Sequence, residues 1–105
     1  MIMSREKAIE IARQFANRVY EEIDRDAKVF LFGSAARDEA HSSSDIDIAV
    51  VSAAFGFDVV ENRVRLLMIG YDLAEGVEPH PILLKEWDKN QSFLASEIQR
   101  EGILV

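Results

Sequence analysis

No cysteine occurs among the 105 residues, which excludes disulfides, thiol catalysis and thiolate metal sites and suits a cytoplasmic setting. No apolar run approaches the ~20 residues needed to span a bilayer. The N-terminal stretch Met1-Ile-Met-Ser-Arg-Glu6 lacks the basic-then-apolar order of a secretion signal. Basic residues are in deficit, with 12 Lys and Arg against 19 Asp and Glu, a formal charge of −7. Such a surface repels phosphate backbones and disfavours binding of long nucleic acid by general electrostatics. It suits a basic protein partner better. Internal repeats, linkers and low-complexity tracts are missing as well. What is present, 49% apolar and 30% charged residues, describes one ordinary globular domain over residues 1–105.

The apolar spacing divides this domain into alternating segments. Ser4 is a natural cap for a helix running to Ile23, with Ala8, Ile11, Ala12, Phe15, Ala16, Val19 and Ile23 at three- and four-residue steps. Lys28 to Phe32 reads as a short strand, and Ser34-Ala-Ala-Arg-Asp38 as a helical turn. Asp45 to Val51 is a second strand. From Phe57 to Glu75, Val60, Val64, Leu67, Met68, Tyr71 and Ala74 keep helical steps, with Asn62, Arg63 and Arg65 towards the polar side and Gly76 as the stop. Val77 to Leu84 is a third strand, and Pro79 and Pro81 confine it to a sheet edge or to pairing at its far end. Lys85 to Lys89 reads as a turn into a last helix, Gln91 to Arg100, with Trp87, Phe93, Leu94 and Ile98 packing inward. The apolar tail Ile103-Leu-Val105 either completes the core or meets another chain. The order α-β-α-β-α-β-α predicts an α/β (α+β) domain, a mixed sheet of three to four strands with helices mainly on one face.

The chemistry concentrates between residues 29 and 51. Side chains along a strand alternate faces, so Asp45 and Asp47 point the same way, with Cα atoms roughly 6.5 Å apart. Two adjacent carboxylates at the entry to an apolar strand repel each other and lose hydration. A divalent cation removes both costs, and oxygen-only ligands favour Mg²⁺. Gly33, at the end of the preceding strand, allows a ligand to approach the backbone closely. The N–H groups after it can face an anion if Ser34 opens a helical turn. A phosphate holder beside a metal holder suits a magnesium nucleotide.

Phe32-Gly-Ser-Ala-Ala-Arg37, followed by Ser44-Asp-Ile-Asp-Ile-Ala-Val50, resembles the signature of the polymerase-β-type nucleotidyltransferase superfamily. In this fuller form it is similar to the minimal nucleotidyltransferase (MNT) group, small prokaryotic proteins of which many are antitoxins paired with HEPN-domain ribonucleases. The resemblance implies a small nucleotidyltransferase fold, with one or two Mg²⁺ ions held by Asp45 and Asp47. It places Gly33, Ser34, Arg37 and Ser44 around the phosphates of ATP or another nucleoside triphosphate. Ala35 and Asp38 depart from the group's Arg and Gly, so positive charge there is lower. His41, in the same loop, reads as a surface histidine.

In the superfamily a third carboxylate on a later strand completes the metal site and activates the acceptor hydroxyl. Here Glu78 is the nearest carboxylate to that position, and His80 faces the same way; Glu78 is preferred and His80 is the alternative general base. The reading that results is a Mg²⁺-dependent enzyme moving AMP from ATP onto a hydroxyl, of a HEPN-like protein partner if the antitoxin resemblance holds, with homo-oligomers an open option. The competing reading is a binding module of the same fold that masks its partner by contact with catalysis weakened or lost. The plainest reading leaves Asp45 and Asp47 as caps of a strand and a loop.

Overall fold

Among the described residues, three of the four α-helices begin where a short polar side chain accepts from the first turn. Ser4 Oγ accepts from the Lys7 N–H at 3.0 Å and opens α1 (Arg5–Glu22). Asp58 Oδ1 accepts from the Glu61 N–H at 3.0 Å and opens α2 (Val59–Leu73). A short α3 (Leu84–Asp88) has no side-chain cap, whereas Ser92 Oγ accepts from the Ala95 N–H at 2.9 Å and opens α4 (Phe93–Glu101). The computed structural model describes residues 4–37, 45–89 and 92–105. Ser44 and His41 lie outside these described residues.

Four strands form one mixed sheet in the order β3-β2-β1-β4. The hairpin partners β1 (Lys28–Phe32) and β2 (Ile46–Ser52) run antiparallel, and β3 (Val77–Leu83) is parallel to β2. The apolar tail supplies β4 (Ile103–Leu104), antiparallel to β1, so it completes this chain's own sheet. The prolines place β3 at an edge, as their missing N–H groups require. The long helices α1 and α2 cover one face, where Phe15, Val19, Leu66 and Ile69 pack on Val29, Leu31, Ile48 and Val50. On the other face, α3 and α4 bring Trp87, Ala95 and Ile98 onto Phe32, Ala49, Val51 and Ile82. Among the described residues no helix is long and apolar enough to cross a membrane.

Several local expectations are overturned. Helix α2 does not bury the stripe Val60, Val64, Met68 and Tyr71, all of which are exposed; it buries Asn62, Leu66, Ile69 and Gly70. The helix is apolar on two faces, and periodicity cannot say which one meets the sheet. Asn62, expected on the polar side, turns inward because Gly56 offers it both backbone partners. Its Nδ2–H donates to the Gly56 carbonyl at 2.7 Å and its Oδ1 accepts from the Gly56 N–H at 3.2 Å. Gly76, expected to stop α2, comes two residues beyond the Ala74 cap and turns the chain into β3 at φ +82°. Residues 84–88 form a helix rather than a turn, and Trp87 leaves it to stack on Phe30 at 5.1 Å between centroids. Phe93 points to solvent, because the inward positions of α4 are taken by Ala95 and Ile98.

One polar contact ties the α1–β1 turn to the far end of β2. The buried Ser52 Oγ–H donates to Asp24 Oδ2 at 2.6 Å and its oxygen accepts from the Ala54 N–H at 2.9 Å. This hydroxyl, with the Asp26 N–H, holds the Asp24 carboxyl below the usual carboxylate range, against a smaller effect of burial. A carboxyl whose folded pKa lies below its unfolded one adds stability above the unfolded value, and that stability is lost as pH falls through the folded value. Ser52→Ala is therefore expected to destabilise the fold by about 1–2 kcal/mol at neutral pH. Its melting temperature should also fall less steeply than that of the wild type below about pH 4. Thermal melts of both proteins across that range check both statements.

Candidate functional site

The chain ends β1 with Gly33 at φ +74°, a left-handed conformation that side chains rarely adopt. A single 3-10 turn, Gly33–Ala35, follows, and the Arg37 N–H closes on the Gly33 carbonyl at 3.3 Å. The register sets Phe32 opposite Asp47 on β2, and Asp47 opposite Glu78 on β3. The end of β1 and the starts of β2 and β3 thus meet in one row. A Cβ at position 33 would overlap Oδ2 of Asp47, so glycine is needed both for backbone angle and for space.

Asp45, one residue before β2, is exposed and lies near enough to Glu78 to act on its carboxyl. The neighbouring Asp45 carboxyl raises the Glu78 pKa most, burial and the charge of Asp47 raise it further, and His80 opposes them. His80 comes from the same face of β3. Its Nε2 lies 3.1 Å from Asp47 Oδ1, with the nitrogen donating, and its ring stands edge-on to Phe32 at 5.1 Å between centroids. Beneath them the small Ala49 and the aliphatic Val51 and Ile82 continue the face as a buried floor. Arg63 reaches round the β3 edge from α2, with Nη2 3.5 Å from Glu78 Oε1.

Asp45, Asp47, Glu78 and His80 are therefore brought together, as the two-residue spacing and the β3 alternation predict. Three carboxylates meet one guanidinium and one imidazole, so the cluster attracts cations. Among the described residues no three such groups already form a metal cage. The donor set is nevertheless the oxygen-rich one that hard divalent cations take, and a cation there would relieve the repulsion that raises the Glu78 pKa. Ser34 sits half-buried in the turn beside this row. Arg37 lies near the turn but is directed to α4, with Nη1 3.2 Å from Glu101 Oε2.

Three contributors have little sequence signature. Phe32 reads as core, yet its ring backs His80. Glu101 gives no sign that it holds Arg37. Arg63 reads as a solvated helix position. The prolines that mark β3 as an edge strand are the one signal that a side chain from α2 could wrap round it to the acids.

A family model described as nucleotidyltransferase domain matches residues 11–105. No curated protein matches the sequence significantly. Among solved structures, the chain is similar to a protein from Sulfolobus solfataricus described as a candidate nucleotidyltransferase. The TM-score is 0.68 at 19% identity, over 95% of this chain and 80% of that one. At that identity the likeness speaks for the fold alone.

Two substitutions check the geometry of the row through stability. Gly33→Ala is expected to cost roughly 1–3 kcal/mol in denaturant unfolding, whereas Gly56→Ala, with nothing within 4 Å of the new Cβ, should be much milder. Glu78→Gln removes one of three crowded acids and should raise the melting temperature at neutral pH in excess chelator. A lowered one would show that Glu78 is held chiefly by Arg63 and not strained by Asp45 and Asp47.

Proposed function

The chain belongs to the nucleotidyltransferase domain family, and from that premise we propose a Mg²⁺-dependent transfer of AMP from ATP onto a hydroxyl of a protein partner, such as a HEPN-domain ribonuclease. The single observation that carries the metal dependence is the row of Asp45, Asp47 and Glu78 beside Gly33. A purely structural strand end has no use for carboxylates gathered where their charges raise one another's proton affinity. In this reading Asp45, Asp47 and Glu78 hold the magnesium, which when bound neutralises the triphosphate and the departing pyrophosphate. Gly33 and Ser34 border the phosphates, and the missing Cβ at 33 lets them lie close to the backbone.

The bond-making step needs little from the protein beyond position and charge. The acceptor oxygen attacks the α-phosphorus, the bond to the bridging oxygen of pyrophosphate breaks, and the hydroxyl proton passes to a carboxylate. Glu78 is read as that base, because the register sets it opposite Asp47 at the same end of the sheet. His80 is read as the group that orients Asp47, because its Nε2–H is committed to that carboxylate. The Arg37–Glu101 pair favours a second reading, in which a module of this fold neutralises its partner by contact with catalysis reduced. A guanidinium tied to α4 is less available to a triphosphate.

Both readings meet in one assay: ATP labelled at the α-phosphate, Mg²⁺ and a candidate partner, with label transfer to the partner as readout. Asp45→Asn and Asp47→Asn are each expected to lower transfer by roughly 10³-fold or more, as loss of a main electrostatic element does. His80→Ala should lower it by roughly 10–100-fold, in the range for a group that orients a metal ligand. Tight partner binding without transfer, unaltered by the two Asn variants, would overturn the enzymatic reading in favour of the module.

A further inference from the structure

Helix α2 is apolar on both sides, and only one side is used. Its inward residues Leu66, Ile69 and Gly70 pack against the sheet and α1. On the outward side Val60, Val64, Met68 and Tyr71 are 71%, 49%, 64% and 77% exposed. Together with the half-buried Leu67 they occupy an arc of roughly 100° at 3.6 residues per turn. Among the described residues, six of the nine large exposed apolar side chains lie in or just before this helix. A stripe of that width is the face a helix lays against another surface.

We infer that the occupant is α2 of a second copy of this chain, packed antiparallel about a twofold axis near Met68. Antiparallel helices related by such an axis bring like flanks together, so residues on one side of the stripe meet the same side of the other copy. That register sets Val64 against Tyr71 of the second copy, and Leu67 and Met68 against their counterparts. On one flank of the stripe stand Glu61, Arg65 and Asp72. Arg65 has no ion-pair partner among the described residues, while Asp72 is paired with Arg18 at 3.3 Å and keeps 65% of its side chain exposed. With the axis near Met68, Arg65 lies within roughly one residue rise, about 1.5 Å along the helix, of Asp72 of the second copy. The twofold makes this pair twice. Sliding the copies by one turn would instead set Glu61 against Asp72, acid on acid, so charge selects the register.

The stripe offers roughly 500 Å² of apolar surface per copy, or about 1,000 Å² in all, which is near the lower end of specific interfaces. The expected dimer is accordingly weak and reversible, with a dissociation constant in the micromolar range. The inference is independent of the reaction proposed above, because the stripe faces away from the sheet and none of its residues touches the acidic row.

Sedimentation velocity on the whole chain over a rising concentration series tests it. The wild type should pass from monomer to dimer, and Met68→Glu should remain monomeric. Arg65→Asp and Asp72→Arg should each weaken self-association tenfold or more, since each sets like charges face to face. Mixed in equal amounts, these two single variants should associate again, because the mixed pair restores Asp opposite Arg at both ends. Circular dichroism melts establish that each variant is folded. A wild type that stays monomeric at about 1 mM, a dimer that survives Met68→Glu, or folded charge variants whose mixture fails to associate would each overturn the inference. A monomer that binds a different protein through this stripe would be one form of the first result.

Discussion

A Cβ at Gly33 would run into the Asp47 carboxylate as it now stands, and the left-handed φ of +74° there would strain any side chain. That single approach constrains the chain in both directions. β1 must leave the sheet in the left-handed region, which ends pairing at Phe32 and starts the tight turn that presents Ser34. β2 must enter opposite that turn with an acid, not with a bulky apolar residue, or the row would lose its hydrophilic end. The register Phe32 to Asp47 to Glu78 then leaves only one end of the sheet where backbone bend and carboxylates coincide. The fold's candidate chemistry is located by a steric fact before any charge is considered.

Charge then makes that end costly. Asp45, Asp47 and Glu78 repel one another, and the partial remedies are a donated hydrogen bond from His80 and the long reach of Arg63. Neither of these neutralises the group fully. The stability that tolerates it comes from beneath: Leu31, Ile46 and Ile48 are fully buried on the α1–α2 side, and Ala49 and Val51 on the other. Along β2 the burial is almost unbroken from Ile46 to Ser52 apart from Asp47. A strand so well packed can hold its first acid rigidly.

The site was legible because its information is local. Glycine before a polar turn, two acids at period two and a proline-marked edge strand each constrain backbone within a few residues, and the structure assembles them as the spacing implies. What could not be read depends on which surfaces meet. Val60, Val64, Met68 and Tyr71 have the same helical spacing as Leu66, Ile69 and Gly70, and only the shape of the sheet decides between the faces. Asn62 looked like a surface residue until Gly56 came within reach of both ends of its amide. Glu101, which directs Arg37 away from the acids, is 64 positions from its partner. Helical pattern alone carries no trace of a contact so distant in sequence.

The choice of inward face on α2 has its own cause, and it leads back to the acids. Gly70 brings the helix so near the start of β3 that an added Cβ would stand 3.1 Å from Val77 Cγ1. Val77 is the residue before Glu78, and its partner across the ladder is Ile46, the residue before Asp47. The helix therefore packs closely on the step before the third carboxylate, and a larger residue there would make Val77 give way by a few tenths of an ångström. Rotating α2 to bury the outward stripe would replace Gly70 there by Met68 or Tyr71, push β3 away from the helix and withdraw Glu78 from Asp45. Close packing at the start of β3 thus sets which side of the helix is left apolar and uncovered.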